Sequence, residues 1–455
     1  MQLSRASAIV ALLLASRGSV VRAQQAHVDQ RTAGVSSATG ESTDPAQRSG
    51  APGADDPDDK VRPEDLQTSL PDERKPDPDP GEPVTGTVRA GAYSDSDKTR
   101  VLRTLGVVSR TWGRWGLGAS VGVDAVTSAS VDVRSSPALS KVDVVTGASG
   151  RTSSSGGEMT DTRYQVTGGA GYKDTAGHAF NLMGAFATES DYTSGSAGLN
   201  GSYDVLDRTT TLLGGLTFTD NRISSVLDRS LHRKMFAVAW SVGVARVLTP
   251  SDAVRVRYDG KLSDGYQASP YRNVRFGDWT ASLGEHQITF MSTMGSPDGL
   301  PELLPERRTS HAVVLEWVHS LAPGIGLHPQ LRGAHDSWGV DSVSAAVDLR
   351  IAKRSWRMEA GYRYYLQSRA DFFESKYLQA PTTYSAYTSD KELGGQAGHL
   401  VRFDISRVLI DAATPNDTRM MLNFQIDVVR YNYAGFLLLP SRDSTFASVG
   451  ISWEL

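Results

Sequence analysis

The chain has 455 residues, 39% hydrophobic, with 44 Gly, eight Trp, no Cys and a formal net charge of −4. Without Cys there are no disulfides, no c-type haem attachment and no lipoprotein anchor. No run approaches the roughly 18–20 apolar residues of a transmembrane helix, so a place in a membrane would require a closed barrel.

The first element reads as a secretory leader. Arg5 supplies positive charge, Ala8 to Ala15 is a short apolar run, and Val21-Arg22-Ala23 offers a small-residue cleavage site, so residues 1–23 are expected to be removed. Residues 24–83 are rich in Pro, Asp, Ser and Gly and hold 14 acidic and 6 basic side chains, a net −8. Such a segment lacks the apolar surface to fold and is expected to be a disordered acidic tail, stiff and extended around Lys75 to Pro83. A leader with three arginines and a tail of net −8, removed from a chain of net −4, leave residues 84–455 at about +1. That part carries no polybasic stripe, which argues against a nucleic-acid partner.

From Val84 onward the hydrophobic period is two. The pattern predicts strands over 85–95, 98–111, 114–127, 161–173, 177–189, 191–204, 208–220, 232–247, 252–264, 306–320, 324–336, 341–352, 355–367, 395–411, 417–433 and 443–455. That is sixteen, an even number, and many exceed the ~5–6 residues usual in soluble sheets. Tight turns at Trp112-Gly113-Arg114, Asp174 to Gly177, Thr249 to Asp252, Ala322-Pro323-Gly324 and Lys353-Arg354 fall at one end. Long loops at 128–160, 265–305 and 368–394 fall at the other. Val274 to Phe290 has room for a hairpin, so fourteen to eighteen strands fit. The fold expected is all-β: a transmembrane antiparallel up-and-down β-barrel over 84–455, with short periplasmic turns, long external loops and both termini in the periplasm.

The alternation is clearest in four segments. Phe236, Val238, Trp240, Val242 and Val244 share one face, as do Val343 to Ile351, Trp356 to Tyr364 and Leu422 to Val428 taken every second residue. The opposite face carries charge at strand centres: Arg255, Arg257, Asp259, Asp348, Arg350, Arg357, Glu359, Arg363, Arg402, Asp404 and Asp427. In a barrel these eleven line the lumen. They either pair across strands and stiffen the wall or act as charge rings that select ions. Tyr93, Tyr192, Trp240, Trp317, Trp356, Tyr362, Tyr364 and Trp453 are candidates for interfacial girdles.

The last strand alternates up to the final residue. The spacing of Gly450, Trp453 and Leu455 resembles the C-terminal signal read by the outer-membrane barrel assembly machinery. That signal usually has a polar residue where Val449 stands and often an aromatic where Leu455 stands. An edge strand of a soluble sheet is the other reading.

Three segments of the second half carry a resemblance: Asp264 to Arg272 (DGYQASPYR), Pro305 to Ala312 (PERRTSHA), and Tyr362 to Phe373 (YRYYLQSRADFF) followed by Tyr387 to Leu393 (YTSDKEL). Tyr93 to Asp97 and Asp124 to Ser130 are weaker echoes. The chain resembles the bacterial domain of unknown function 3570 family, which implies an outer-membrane barrel and supplies no chemistry.

The remaining chemistry is sparse. No HExxH or CxxC spacing exists. His311, His319, His328 and His335 fall within 25 residues and fit polar wall positions better than a metal site. His335 and Asp336 are the nearest approach to an acid/base pair, but adjacent strand residues point to opposite faces. The expectation is therefore a cofactor-free outer-membrane barrel, in contact with membrane lipid, acting as a pore or transport protein for small polar solutes and not as an enzyme. A non-conducting sleeve for a periplasmic or surface partner, with the acidic tail as tether, is the alternative; an outer-membrane hydrolase is the third. Oligomeric state is not specified by the sequence.

Overall fold

The computed structural model describes residues 84–130, 142–143, 148–149, 151–152, 159–225, 228–284, 288–292, 299–410 and 418–455. The expected leader, the acidic tail and most of the 128–160 loop lie outside these residues.

Alternation of large apolar with small or polar residues makes long two-faced strands, and sixteen of them close on themselves. They are β1 (Val84–Asp95), β2 (Thr99–Trp112), β3 (Trp115–Ser128), β4 (Met159–Lys173), β5 (Ala179–Thr188), β6 (Tyr192–Val205), β7 (Thr210–Ser224) and β8 (His232–Thr249). The second half supplies β9 (Asp252–Gly265), β10 (Arg307–Ala322), β11 (Ile325–Asp336), β12 (Asp341–Lys353), β13 (Trp356–Gln367), β14 (Gly395–Ile410), β15 (Arg419–Ala434) and β16 (Ser441–Glu454). Each pairs antiparallel with its sequence neighbour. β16 returns to β1, in register from Thr85 opposite Glu454 to Asp95 opposite Ser444. Val84 and Leu455 exchange two backbone hydrogen bonds of 2.9 Å at the end of this seam. Among the described residues the barrel sheet has no free edge strand, which is what a sheet in a membrane requires. The sequence count of sixteen holds. The hairpin suspected in the 265–305 loop exists as Trp279–Leu283 against Ile288–Ser292, and it stands apart from the barrel sheet.

The tight turns gather at the end where Val84 and Leu455 meet, and the long connections at the other. Register shifts in β8, β10 and β14 also sit near the terminus end, where bulges let strands twist into the turns.

Large apolar side chains point outward all round the wall. Leu102, Leu117, Leu182, Leu199, Val242 and Leu331 are among those more than half exposed. An apolar band of this extent does not suit water. At the terminus end, Trp112, Trp115, Trp317 and Trp356 stand exposed on the outer face, with Trp453 half-buried beside them. Tyr362 and Tyr364 face outward nearer the loop end, and Trp240 lies mid-strand. Tyr93 and Tyr192 do not belong to a girdle: they share the inward parity of Arg89 and Ser194, and their hydroxyls bond Asp95 (2.9 Å) and Asn221 (2.5 Å). Strand parity, not residue type, decides the face.

Two outward indoles fix the wall by lying across glycines. Trp453 covers Gly86 at the closing seam, and Trp240 covers Gly260; a Cβ at either glycine would overlap the ring. Gly86→Val or Gly260→Val should force the indole off its site and destabilise the barrel by about 1–3 kcal/mol. The expected signature is a lower temperature at which the folded band disappears on semi-native SDS gels. Gly106→Val, where nothing lies within 4 Å of the new Cβ, should leave that temperature unchanged.

Candidate functional site

The inward face has two tiers: a charged belt in the wall and a folded cap at the loop end. Arg255, Arg257, Asp259, Asp348, Arg350, Arg357, Glu359, Arg363, Arg402, Asp404 and Asp427 all carry the inward parity. Most are knitted together rather than spread as isolated charges. Arg255 pairs with Glu316, which also accepts from Gln330 (3.2 Å). His328 lies 3.7 Å from Asp348, and Arg350 binds Glu359 at 2.7 Å. Arg402 grips Asp427 with two hydrogen bonds (2.9 and 2.7 Å) and lies 3.7 Å from Asp404. Gln425 donates to Asp427 (3.1 Å) and accepts from Arg89 of β1 (3.1 Å), carrying the network across the seam. Arg103 continues it with a fork onto Asp124 (2.7 and 2.9 Å). Arg257 meets Asp259 on its own strand at 2.8 Å. Such forked pairs satisfy both partners' geometry, and removing one member leaves a buried charge.

The arc from β5 to β8 is built differently. Many of its inward positions are small (Ala185, Ala187, Ser194, Gly198, Gly215, Ala237 and Gly243), set between larger uncharged ones such as Met183, Leu213 and Asn221. The lumen therefore has one bulky charged side and one recessed side.

The cap was not legible as a unit. It joins the loop between β9 and β10 to the loop between β13 and β14. Leu304, Ala370, Phe373 and Leu393 pack with Trp338 and Val340 of the β11–β12 turn. A second cluster joins Val274, Phe276, Tyr377, Tyr384 and Tyr387. The Tyr377 hydroxyl receives the backbone N–H groups of Glu374 (3.1 Å) and Thr388 (2.9 Å), and burial pushes it up to about 12. Between the clusters lies an ionic core. Arg272 reaches Asp390 at 2.8 Å and Glu302 at 3.3 Å, and Thr388 donates to Glu302 at 2.6 Å. All four are buried. The cap is tied to the rim at Asp191, which accepts from Tyr271, and at β15 and β16, where Tyr433 (3.3 Å) and Arg442 (3.7 Å) meet Glu392.

Asp336 is fully buried and caps its own turn, accepting from the amides of Trp338 (2.8 Å) and Val340 (3.0 Å) while Arg308 binds it at 2.7 Å. His335 faces outward and bonds Asp341 (2.8 Å). The two adjacent residues thus share no site. His311 also faces outward, bonded to Tyr258 (2.6 Å), while His319 bonds Asp252 (2.7 Å) near the terminus end and His328 faces inward. Among the described residues no group of three or more potential ligands could hold a metal. Gly450 faces inward against Arg89, Trp453 outward, and Leu455 closes the seam.

The cap yields two predictions. Arg272→Met would strand Glu302 and Asp390 without their cation and should loosen the cap by about 3–5 kcal/mol, read as new protease cleavage in the two loops with the SDS-resistant barrel retained. Burial raises the Asp390 carboxyl from 3.8 to about 6, against the pull of Arg272 and with the push of Glu302. The folded cap thus keeps the neutral form to a higher pH than the free side chain does, and above about 6 the carboxylate pairs with Arg272. The contribution of the shift, roughly 3 kcal/mol, is present below pH 4 and lost as pH rises through 6. Amide exchange in 387–393, corrected for intrinsic rates, should slow on acidification in the native chain and stay flat across this window in Asp390→Asn.

No curated protein matches the chain. Solved structures with a similar course include a bacterial polysaccharide outer membrane secretin (9% identity, TM-score 0.43, covering 81% of this chain and 98% of that one). The CymD monoaromatic hydrocarbon channel matches at 10% identity and TM-score 0.36, over 82% and 88% of the two chains. A mutant ferric enterobactin receptor from Pseudomonas aeruginosa in complex with enterobactin matches at 9% and 0.37, over 77% of this chain and 54% of the receptor. The profile of the family described as "Protein of unknown function (DUF3570)" matches residues 75–240 and 232–399. Those spans contain the cap segments Asp264 to Arg272, Pro305 to Ala312 and Tyr387 to Leu393, and the chain belongs to the DUF3570 family.

Proposed function

We propose that this protein is an outer-membrane barrel that passes small polar solutes through a charged lumen whose loop-side mouth is narrowed by the cap. The supporting observation is the division of the inner wall. A belt of Arg and acidic residues on β9–β15 and β1–β3 stands apart from an arc on β5–β8 that is rich in Ala, Ser, Gly and Thr and nearly free of charge. A sixteen-strand barrel is wide enough for water, and the small-residue arc leaves the space in which a hydrated solute fits. The apolar outer band is suited to lipid, and the Trp belt at the terminus end to one interface. Short turns beside both termini support a periplasmic position for that end, where the acidic tail is suited to contact a periplasmic partner. Gly450, Trp453 and Leu455 are suited to recognition by the assembly machinery.

A second reading, a non-conducting sleeve or docking platform, has one observation in its favour. Several belt residues are almost fully withdrawn from solvent, with Asp427 at 0%, Gln425 at 2% and Arg363 at 3% exposure. Conductance separates the two. The full chain refolded into planar bilayers should give stable stepwise openings, and Arg257→Glu should move ion selectivity toward cations by severalfold. A barrel that inserts, resists SDS and never conducts overturns the passage reading and leaves the sleeve.

A further inference from the structure

The outward face of β10 changes character along its length. Trp317 stands in the belt at the terminus end, and Arg307 stands ten residues away on the same face. At ~3.3 Å per residue and a tilt of ~40° that is ~25 Å of height, the thickness of an apolar band. Arg307 therefore lies at headgroup level on the loop side. It is exposed, and its guanidinium makes no ion pair among the described residues, with Asp264 opposite it in the ladder.

Beneath Arg307 the outer wall holds two adjoining hollows. The lower is an outward-facing recess of about 720 Å³. Its floor crosses four strands as Val313, Gly333, Val343 and Leu366, each opposite the next. Nothing lies within 4 Å of where a Cβ on Gly333 would stand, so its missing side chain leaves a gap between two valines. One rung higher, His311 lies opposite His335, and His335 opposite Asp341. Nδ1 of His311 meets the Tyr258 hydroxyl (2.6 Å) and Nδ1 of His335 meets Asp341 (2.8 Å). Nε2 of each ring has no protein partner among the described residues. Above this row is a crevice of about 350 Å³ lined by Arg307, Thr309, Ser337 and Asp371, with Trp338 and Phe372 as its apolar side.

The order outward from mid-band is apolar recess, hydrogen-bonding row, cationic crevice. A membrane lipid has the same order: acyl chain, ester or amide linkage, phosphorylated headgroup. The recess continues the apolar band, and the width of one missing side chain suits a single acyl chain. A guanidinium fork suits phosphate oxygens. Asp371 offers an acceptor to a hydroxyl or amine beside that phosphate.

We propose that this column binds one lipid of the loop-side leaflet, its acyl chain in the recess over Gly333 and its phosphorylated headgroup at Arg307. The site rests on the reading of the barrel as a membrane protein and not on passage through the lumen. The probe is a phosphatidic acid with a photoreactive group on one acyl chain, mixed with the full chain refolded in nonionic detergent. Label should concentrate on β10–β12. Gly333→Leu, which fills the recess from a Cβ position that meets nothing, should cut that label at least tenfold. Arg307→Gln should cut it severalfold, and should leave unchanged the weaker label from the matching uncharged diacylglycerol. Label spread evenly round the wall, or label on β10–β12 that neither SDS-resistant variant changes, overturns the site and leaves the membrane reading. No label on any strand overturns both. A dimer in the same detergent that Gly333→Leu dissociates gives the recess to a second copy of the chain and overturns the lipid.

Discussion

Closure of the strand ladder is the constraint on which everything else depends. A backbone N–H or C=O left unpaired in hydrocarbon costs several kcal/mol, so a sheet can sit in a membrane only without an edge. The seam from Val84 to Leu455 removes the last edge, and it does so over eleven register pairs. Side chains reinforce it on both faces. Outside, Trp453 lies over Gly86. Inside, Asn423 and Thr87 both bond Ser452, and Arg89 bonds Gln425.

Closure sorts side chains into two environments, and the inner one explains the chemistry. Eleven charged residues on one parity would repel or demand water if isolated. Most are arranged as pairs and forks, within and across strands, in which opposite charges neutralise one another. The pairing is uneven. The β5–β8 arc carries little inward charge among the described residues. The inner wall is thus asymmetric in both bulk and charge.

The cap couples the loops to that wall. Its apolar clusters hold the two long loops together, while Arg272, Glu302 and Asp390 bury an ionic core that cannot be broken singly without cost. Its contacts with Asp191, in the β5–β6 turn, and with Tyr433 and Arg442 of β15 and β16 fasten it to separate arcs of the rim. Loops so built act as a structural element of the barrel and not as free surface connections.

The sequence by itself determined the strand number, the strand faces and the end at which the long loops lie. A period of two is a local property: each residue's face follows from its neighbours, and a closed barrel obeys it everywhere. The eleven inward charges were legible for the same reason, and Tyr93 and Tyr192 were misassigned only where residue type was read without parity. Tertiary structure decided the rest. Arg272, Glu302 and Asp390 are up to 118 residues apart in sequence, and no local pattern shows that loops from different hairpins will share a buried core. Nor could periodicity show which Arg meets which acid, because pairing depends on register and shear between strands.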